Sequence, residues 1–161
     1  MAKIKIIYGS AGGNTEMVCE KVAGIFGEKA DAGGKKIHKV EMLKAKLTDP
    51  AKLGVGGEHG DFDLLILASP TYGHGQLEQY FDKFLQGLAA VELKDRNCAI
   101  IGLGDPKYDS DYHIESAKFI MDFLKKKGAK ILHMPLRVSK CPLPLLKGHV
   151  DKWAEKIAGM I

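Results

Sequence analysis

Five short apolar runs, separated by longer stretches of helical periodicity, constrain this 161-residue chain more than any other feature. The runs are "KIKIIY" (3–8), "KIHKVEML" (36–43), "DLLILAS" (63–69), "NCAIIGL" (97–103) and "AKILHMPL" (129–136). Those at 63–69 and 97–103 show little polar alternation, as expected of parallel strands covered on both faces. The intervening segments repeat apolar residues every three or four positions. The first carries Val18, Val22, Ile25 and Phe26; a later one carries Leu77, Phe81, Phe84, Leu85 and Leu88. A third carries Ala117, Ile120, Met121 and Leu124, and the last Val150, Trp153, Ala154, Ile157 and Ile161. The stretch at 44–62, with Pro50 and several glycines, predicts only a short helix.

Strands alternating with helices in a chain of this length imply an α/β fold, a three-layer, doubly wound, five-stranded parallel sheet. The commonest such order is 2-1-3-4-5, with a ligand crevice at the carboxyl ends of strands 1 and 3. Residues 1–161 read as one domain, without linker, repeat or low-complexity segment. Hydrophobic residues at 45% and charged residues at 27% fit an ordinary soluble protein. No apolar run reaches the roughly 20 residues a membrane helix needs. "MAKIKIIYGS" is broken by glycine too early for a signal peptide, so a cytoplasmic location and no membrane partner are expected. The net charge of +4 favours acidic partners, but the lysines are dispersed. Lys125-Lys126-Lys127 before Gly128 reads as a helix end rather than a nucleic-acid patch. Cys19, Cys98 and Cys141 form no CxxC pair or zinc spacing, and Cys98 reads as a small buried hydrophobe.

In the order 2-1-3-4-5, the loops after strands 1, 3 and 4 meet at one sheet edge, and they are the three least ordinary stretches: "GSAGGNT" (9–15), "SPTYGHG" (69–75) and "GLGDPKYDSDYH" (102–113). The first offers hydroxyls at Ser10 and Thr15, an amide at Asn14 and glycines at 9, 12 and 13. Small residues let backbone N–H groups approach an anion, and the following helix adds its own. A plain strand-to-helix turn with an N-cap serine or asparagine explains parts of the run but not all of it. The run lacks the lysine of a P-loop and the GxGxxG order of a dinucleotide loop. It holds no cation at all. The second loop presents Tyr72 and His74 between Gly73 and Gly75; the third carries Asp105, Tyr108 and Tyr112. Together they could set one aromatic ring on each side of a flat ligand beside a phosphate site. Packing at the surface is the plainer account of each aromatic singly.

That set of loops resembles the flavodoxins of the short-chain type, over essentially the whole chain. "YGSAGGNTE" is similar to their phosphate loop, (T/S)-x-T-G-x-T; "SPTYGHG" and "GLGDPKYD" stand where their two isoalloxazine loops stand, the second usually G-x-G-D-x-x-Y. The region after 129–136 runs into "SKCPLPLL" without the insertion of the long-chain group. The resemblance implies a flavodoxin-like fold binding FMN noncovalently. Ser10, Ala11, Gly12, Gly13, Asn14 and Thr15 would hold the phosphate, and Ser69, Pro70 and Thr71 would pass the ribityl chain. Tyr72 and Tyr108 would flank the isoalloxazine, while Leu103, Gly104, Asp105 and Tyr112 would meet its pyrimidine edge. Gly73, next to His74, matches the position whose carbonyl turns toward N5 of the semiquinone, a turn easiest without a Cβ.

The implied function is that of a soluble, low-potential electron carrier, a monomer with no catalytic residues and no metal. It would shuttle single electrons between protein redox partners through the semiquinone/hydroquinone couple. A phosphate dianion without a neighbouring cation would help keep the second reduction at low potential. Gly12 replaces the family's second threonine, which implies weaker phosphate binding. His74 and Lys107 stand where acidic residues often surround the flavin, implying a less negative potential and partners with acidic docking faces. The alternative is an FMN-dependent NAD(P)H:quinone or nitro reductase on the same fold, for which so short a chain leaves little room. A phosphorelay receiver is excluded by Tyr8-Gly9 and Ala68-Ser69 where acidic residues would be needed. A thiol phosphatase is excluded because no cysteine has an arginine six positions on.

Overall fold

The structure, a computed structural model, describes residues 1–10, 12–72, 76–104, 114–139 and 146–161, Leu146 by its backbone only. Strand β1 (Ala2–Tyr8) leads into helix α1 (Asn14–Glu28), then β2 (His38–Lys44). After two 3₁₀ turns come β3 (Leu64–Tyr72), the two-residue β4 (Gln76–Leu77) and α2 (Gln79–Leu88). Strand β5 (Asn97–Leu103), α3 (Glu115–Lys126), β6 (Lys130–Ile131), β7 (Leu136–Val138) and α4 (Asp151–Ala158) complete the order. The sheet runs β2-β1-β3-β5-β6, with β7 also beside β5 and β4 beside β3. This is the expected 2-1-3-4-5 order with its last strand in two pieces.

The period of two along each strand divides the core between the faces. Ile4, Ile6, Leu64, Ile66, Ala99, Ile101 and Leu136 pack with Val18, Val22 and Phe26 of α1 and with Trp153 and Ile157 of α4. Ile7, Leu65, Leu67, Cys98 and Ile100 pack with Phe81, Phe84 and Leu88 of α2 and with Ile120 and Leu124 of α3. Strands β1, β3 and β5 are therefore covered on both sides, which explains their unbroken apolar runs. Gly102 lets α3 lie close on β5: a Cβ there would come within 2.7 Å of the Ala117 side chain.

Four expectations need correcting. The fifth strand breaks because Pro135 has no N–H for the ladder, so β6 pairs with Asn97–Cys98 and β7 with Ile101–Leu103. The segment at 44–62 forms no α-helix among the described residues, only 3₁₀ turns at Ala45–Leu47 and Pro50–Leu53. Asp49 starts the second of these by accepting the Ala51 N–H at 3.0 Å. Arg96 fixes the crossover, donating to the Leu53 and Gly60 carbonyls at 3.2 and 2.6 Å while its guanidinium lies 3.6 Å over the Phe62 ring. Leu77, counted with the following helix, belongs to β4. Val150 closes a π turn at Leu146–Val150 and Ile161 lies beyond α4.

The lysine run does end a helix. The Ala129 N–H donates to the Leu124 carbonyl at 3.1 Å across Gly128, whose φ is +72°. Cys98 is buried, and burial pushes its thiol up to about 12; burial raises Cys19 as well. Neither is available as a thiolate, while Cys141 lies outside the described residues.

Candidate functional site

The carboxyl ends of β1 and β3 lie side by side, with Tyr8 paired to Ala68 and the Gly9 N–H donating to the Ala68 carbonyl at 3.0 Å. On its other side Tyr8 pairs with Lys44, the last residue of β2. A cleft of about 420 Å³ opens at this edge. Tyr8, Gly9, Ser10 and Glu16 line it from the first loop and α1, Lys44 and Lys46 from the exit of β2. Tyr72 and the segment from Gln76 to Tyr80 complete the wall.

The first loop is built to leave amides exposed. The Ser10 Oγ accepts the Gly13 N–H at 3.1 Å, bending the loop back on itself. Gly13 takes φ +81°, a left-handed conformation that a Cβ would oppose, and occupies the N-cap position of α1. No side chain among the described residues caps α1, so its first-turn N–H groups face the loop with the helix dipole behind them. Helix α2 differs, since Glu78 caps it by accepting the Tyr80 and Phe81 N–H groups at 3.1 and 2.8 Å. Gly12 and Asn14 are exposed, whereas Thr15 is buried beneath them. A Cβ on Gly12 would meet nothing within 4 Å, so the loop borders open space. These features fit a phosphate group.

Charge in the cleft comes from elsewhere in the chain. Tyr8 donates its phenol proton to Glu16 Oε1 at 2.8 Å, and burial, then Glu16, hold that phenol well above the usual tyrosine range. Lys46 places its ammonium 5.3 Å from the centre of the Tyr80 ring. Sequence reasoning missed Lys44, Lys46 and Glu78. The lysines carry no local motif, and glutamate is not among the residues that ordinarily announce a helix start, so the cap by Glu78 emerges only in the fold.

The second and third loops leave the sheet together, with Ser69 beside Gly102 and Pro70 beside Leu103. Ser69 is buried; its Oγ donates to the Pro70 carbonyl at 2.9 Å and accepts the Glu78 N–H at 3.4 Å. Thr71 Oγ1 accepts the Ser116 N–H at 3.1 Å, and Ser116 donates to the Leu103 carbonyl at 3.4 Å, which braces β3 against β5 and α3. Tyr72, 36% exposed, stands on the cleft wall where β3 pairs back with Gln76. Leu103 is buried and Gly104 donates its N–H to the Val138 carbonyl at 2.7 Å. Ser10 and Tyr72 thus share the cleft. Ala11, Gly73, His74, Asp105, Lys107, Tyr108 and Tyr112 lie outside the described residues. No cluster of metal-ligating side chains occurs among the described residues.

Comparison with known proteins agrees with this architecture. The chain is 28% identical over 163 residues to the flavodoxin of Maridesulfovibrio salexigens, covering 100% of both chains. Its fold superposes on oxidised flavodoxin 2 from Bacillus cereus with a TM-score of 0.81 at 25% identity, covering 99% of this chain and 100% of that one. A Fusobacterium nucleatum flavodoxin bound to flavin mononucleotide shares the fold at a TM-score of 0.78 and 16% identity, covering 100% and 99% of the two chains. The family model described as Flavodoxin spans residues 6–156, from within β1 to the last turns of α4, and on that match the chain belongs to the flavodoxin family, in its short-chain form.

Proposed function

We propose that the chain binds FMN noncovalently at the cleft edge and serves as an electron carrier between redox proteins, with no substrate turnover of its own. The observation that carries this reading is the amino terminus of α1, which no described side chain caps, opening on a glycine loop at the same cleft as Tyr72. Family membership and the FMN-bound Fusobacterium relative support it. FMN, when bound, supplies reversible one-electron redox chemistry.

The chain's part is to hold and surround the cofactor. Ser10, Ala11, Gly12, Gly13, Asn14 and Thr15 would receive the phosphate on backbone amides and the α1 dipole. Tyr72 would cover one face of the ring system. Ser69 and Thr71 would act through the bonds that fix the second loop against Glu78 and Ser116. By family likeness, Tyr108 would cover the other face, with Gly73, His74, Leu103, Gly104, Asp105 and Tyr112 at the ring's edges.

Titrating the flavin-free chain into FMN tests the binding step. Quenching of flavin fluorescence should saturate at one FMN per chain. Unchanged fluorescence with a folded chain would overturn the reading.

A further inference from the structure

A second cleft, of about 360 Å³, lies at the opposite edge of the sheet, between the β6–β7 break and α4. Its charged and titratable lining among the described residues is His133, Arg137, His149, Lys152 and Lys156, with no carboxylate among them. The floor is apolar: Pro135 is buried, Met134 is 67% exposed, and Trp153 shows only an edge. The indole N–H of Trp153 donates to the Met134 carbonyl at 2.8 Å, and His149 Nε2 meets the Arg137 carbonyl at 2.8 Å. The cleft is thereby tied to the backbone of both sides.

The charges of α4 are sorted. Its acids are engaged on the α1 side, Asp151 with Lys21 at 3.5 Å and Glu155 with Lys29. Lys152 and Lys156 are left to the cleft. The position also matters, because Arg137 pairs with Gly102 and the next residue, Val138, accepts the Gly104 N–H. The basic cleft therefore borders the strand that delivers the third loop.

We propose that this cleft is a docking site for an acidic segment of a partner protein. Carboxylates of that segment lie against Arg137, Lys152 and Lys156, and an apolar side chain covers Met134 and Trp153. A bare anion is the poorer occupant, since it would leave Met134 exposed. Arginine, methionine and tryptophan around an apolar centre are also the residues that protein interfaces favour. The identification of the partner as a redox protein rests on the electron-carrier reading; the existence of the docking site does not.

Trp153 is the chain's only tryptophan, so its fluorescence reports the cleft directly. The FMN-loaded chain is titrated with a short glutamate-rich peptide carrying one central leucine, with the same peptide bearing glutamine for glutamate, and with inorganic phosphate. The acidic peptide should change the Trp153 emission saturably and less so in high salt, where exposed charges are screened. The double variant K152Q/K156Q, altered only at exposed positions, should weaken binding on the order of tenfold. Met134→Asp, which puts a carboxylate on the floor, should weaken it as well, both variants keeping their FMN absorbance. An equal response to the glutamine peptide or to phosphate, or unchanged affinity in K152Q/K156Q, would overturn the proposal. A chain that failed to retain FMN would instead count against the electron-carrier reading and leave the peptide response interpretable.

Discussion

Gly9→Ala is expected to destabilise the flavin-free chain by about 1–3 kcal/mol, the usual cost of overpacking a tight site. The new Cβ would stand 2.5 Å from Glu78 Oε2 and 2.8 Å from the Cβ of Phe81, which is fully buried. Neither neighbour can yield freely. Glu78 is held by the Tyr80 and Phe81 amides that it caps, and a lost cap adds about 1 kcal/mol. Relief by moving Gly9 would break its bond to Ala68 and shift Ser10, so FMN binding should weaken along with stability. Gly12→Ala, at the next glycine of the same loop, meets nothing within 4 Å and should stay within about 0.5 kcal/mol of the parent. Denaturant midpoints of the two variants make the comparison. Equal midpoints would contradict the close packing described for Gly9.

Replacing both Lys44 and Lys46 by glutamine is expected to weaken FMN binding on the order of tenfold at low salt and to flatten its salt dependence. The phosphate loop itself has no cation, but the fold brings these two lysines to the cleft that the loop lines. Glu16 and Glu78 line it too, so the phosphate dianion would meet acids as well as bases. Removing the lysines should also make the second reduction of bound FMN more negative, because less positive charge remains to favour the more anionic cofactor. A dianion with no charge compensation, the picture given by the loop alone, requires that neither affinity nor potential change. Fluorescence titrations over a range of salt, with potentials measured on both proteins, separate the two accounts.

The contrast between these variants shows which parts of the site could be read along the chain. The alternation of strand and helix was legible because β1, β3 and β5 are buried on both faces and advertise it in runs such as "DLLILAS". The first loop was legible because its residues are contiguous. Lys44 was not, since it reaches the loop only by pairing across the sheet with Tyr8, thirty-six positions earlier. Lys46 likewise depends on the 3₁₀ turn that stands where a helix was expected. The strand break at Pro135 had a visible cause in the missing N–H, yet the run around it kept its apolar character and read as continuous. The basic cleft was hidden for a similar reason: its five charged or titratable residues come from a strand break, a strand, a π turn and a helix, and α4 alternates acid and base in sequence.

The most direct test of the account is a reductive titration of the FMN-loaded chain. Two resolved one-electron steps, together with negligible direct oxidation of NAD(P)H, are the predicted result. A single two-electron step accompanied by rapid NAD(P)H oxidation would contradict the carrier function and identify the chain as a reductase.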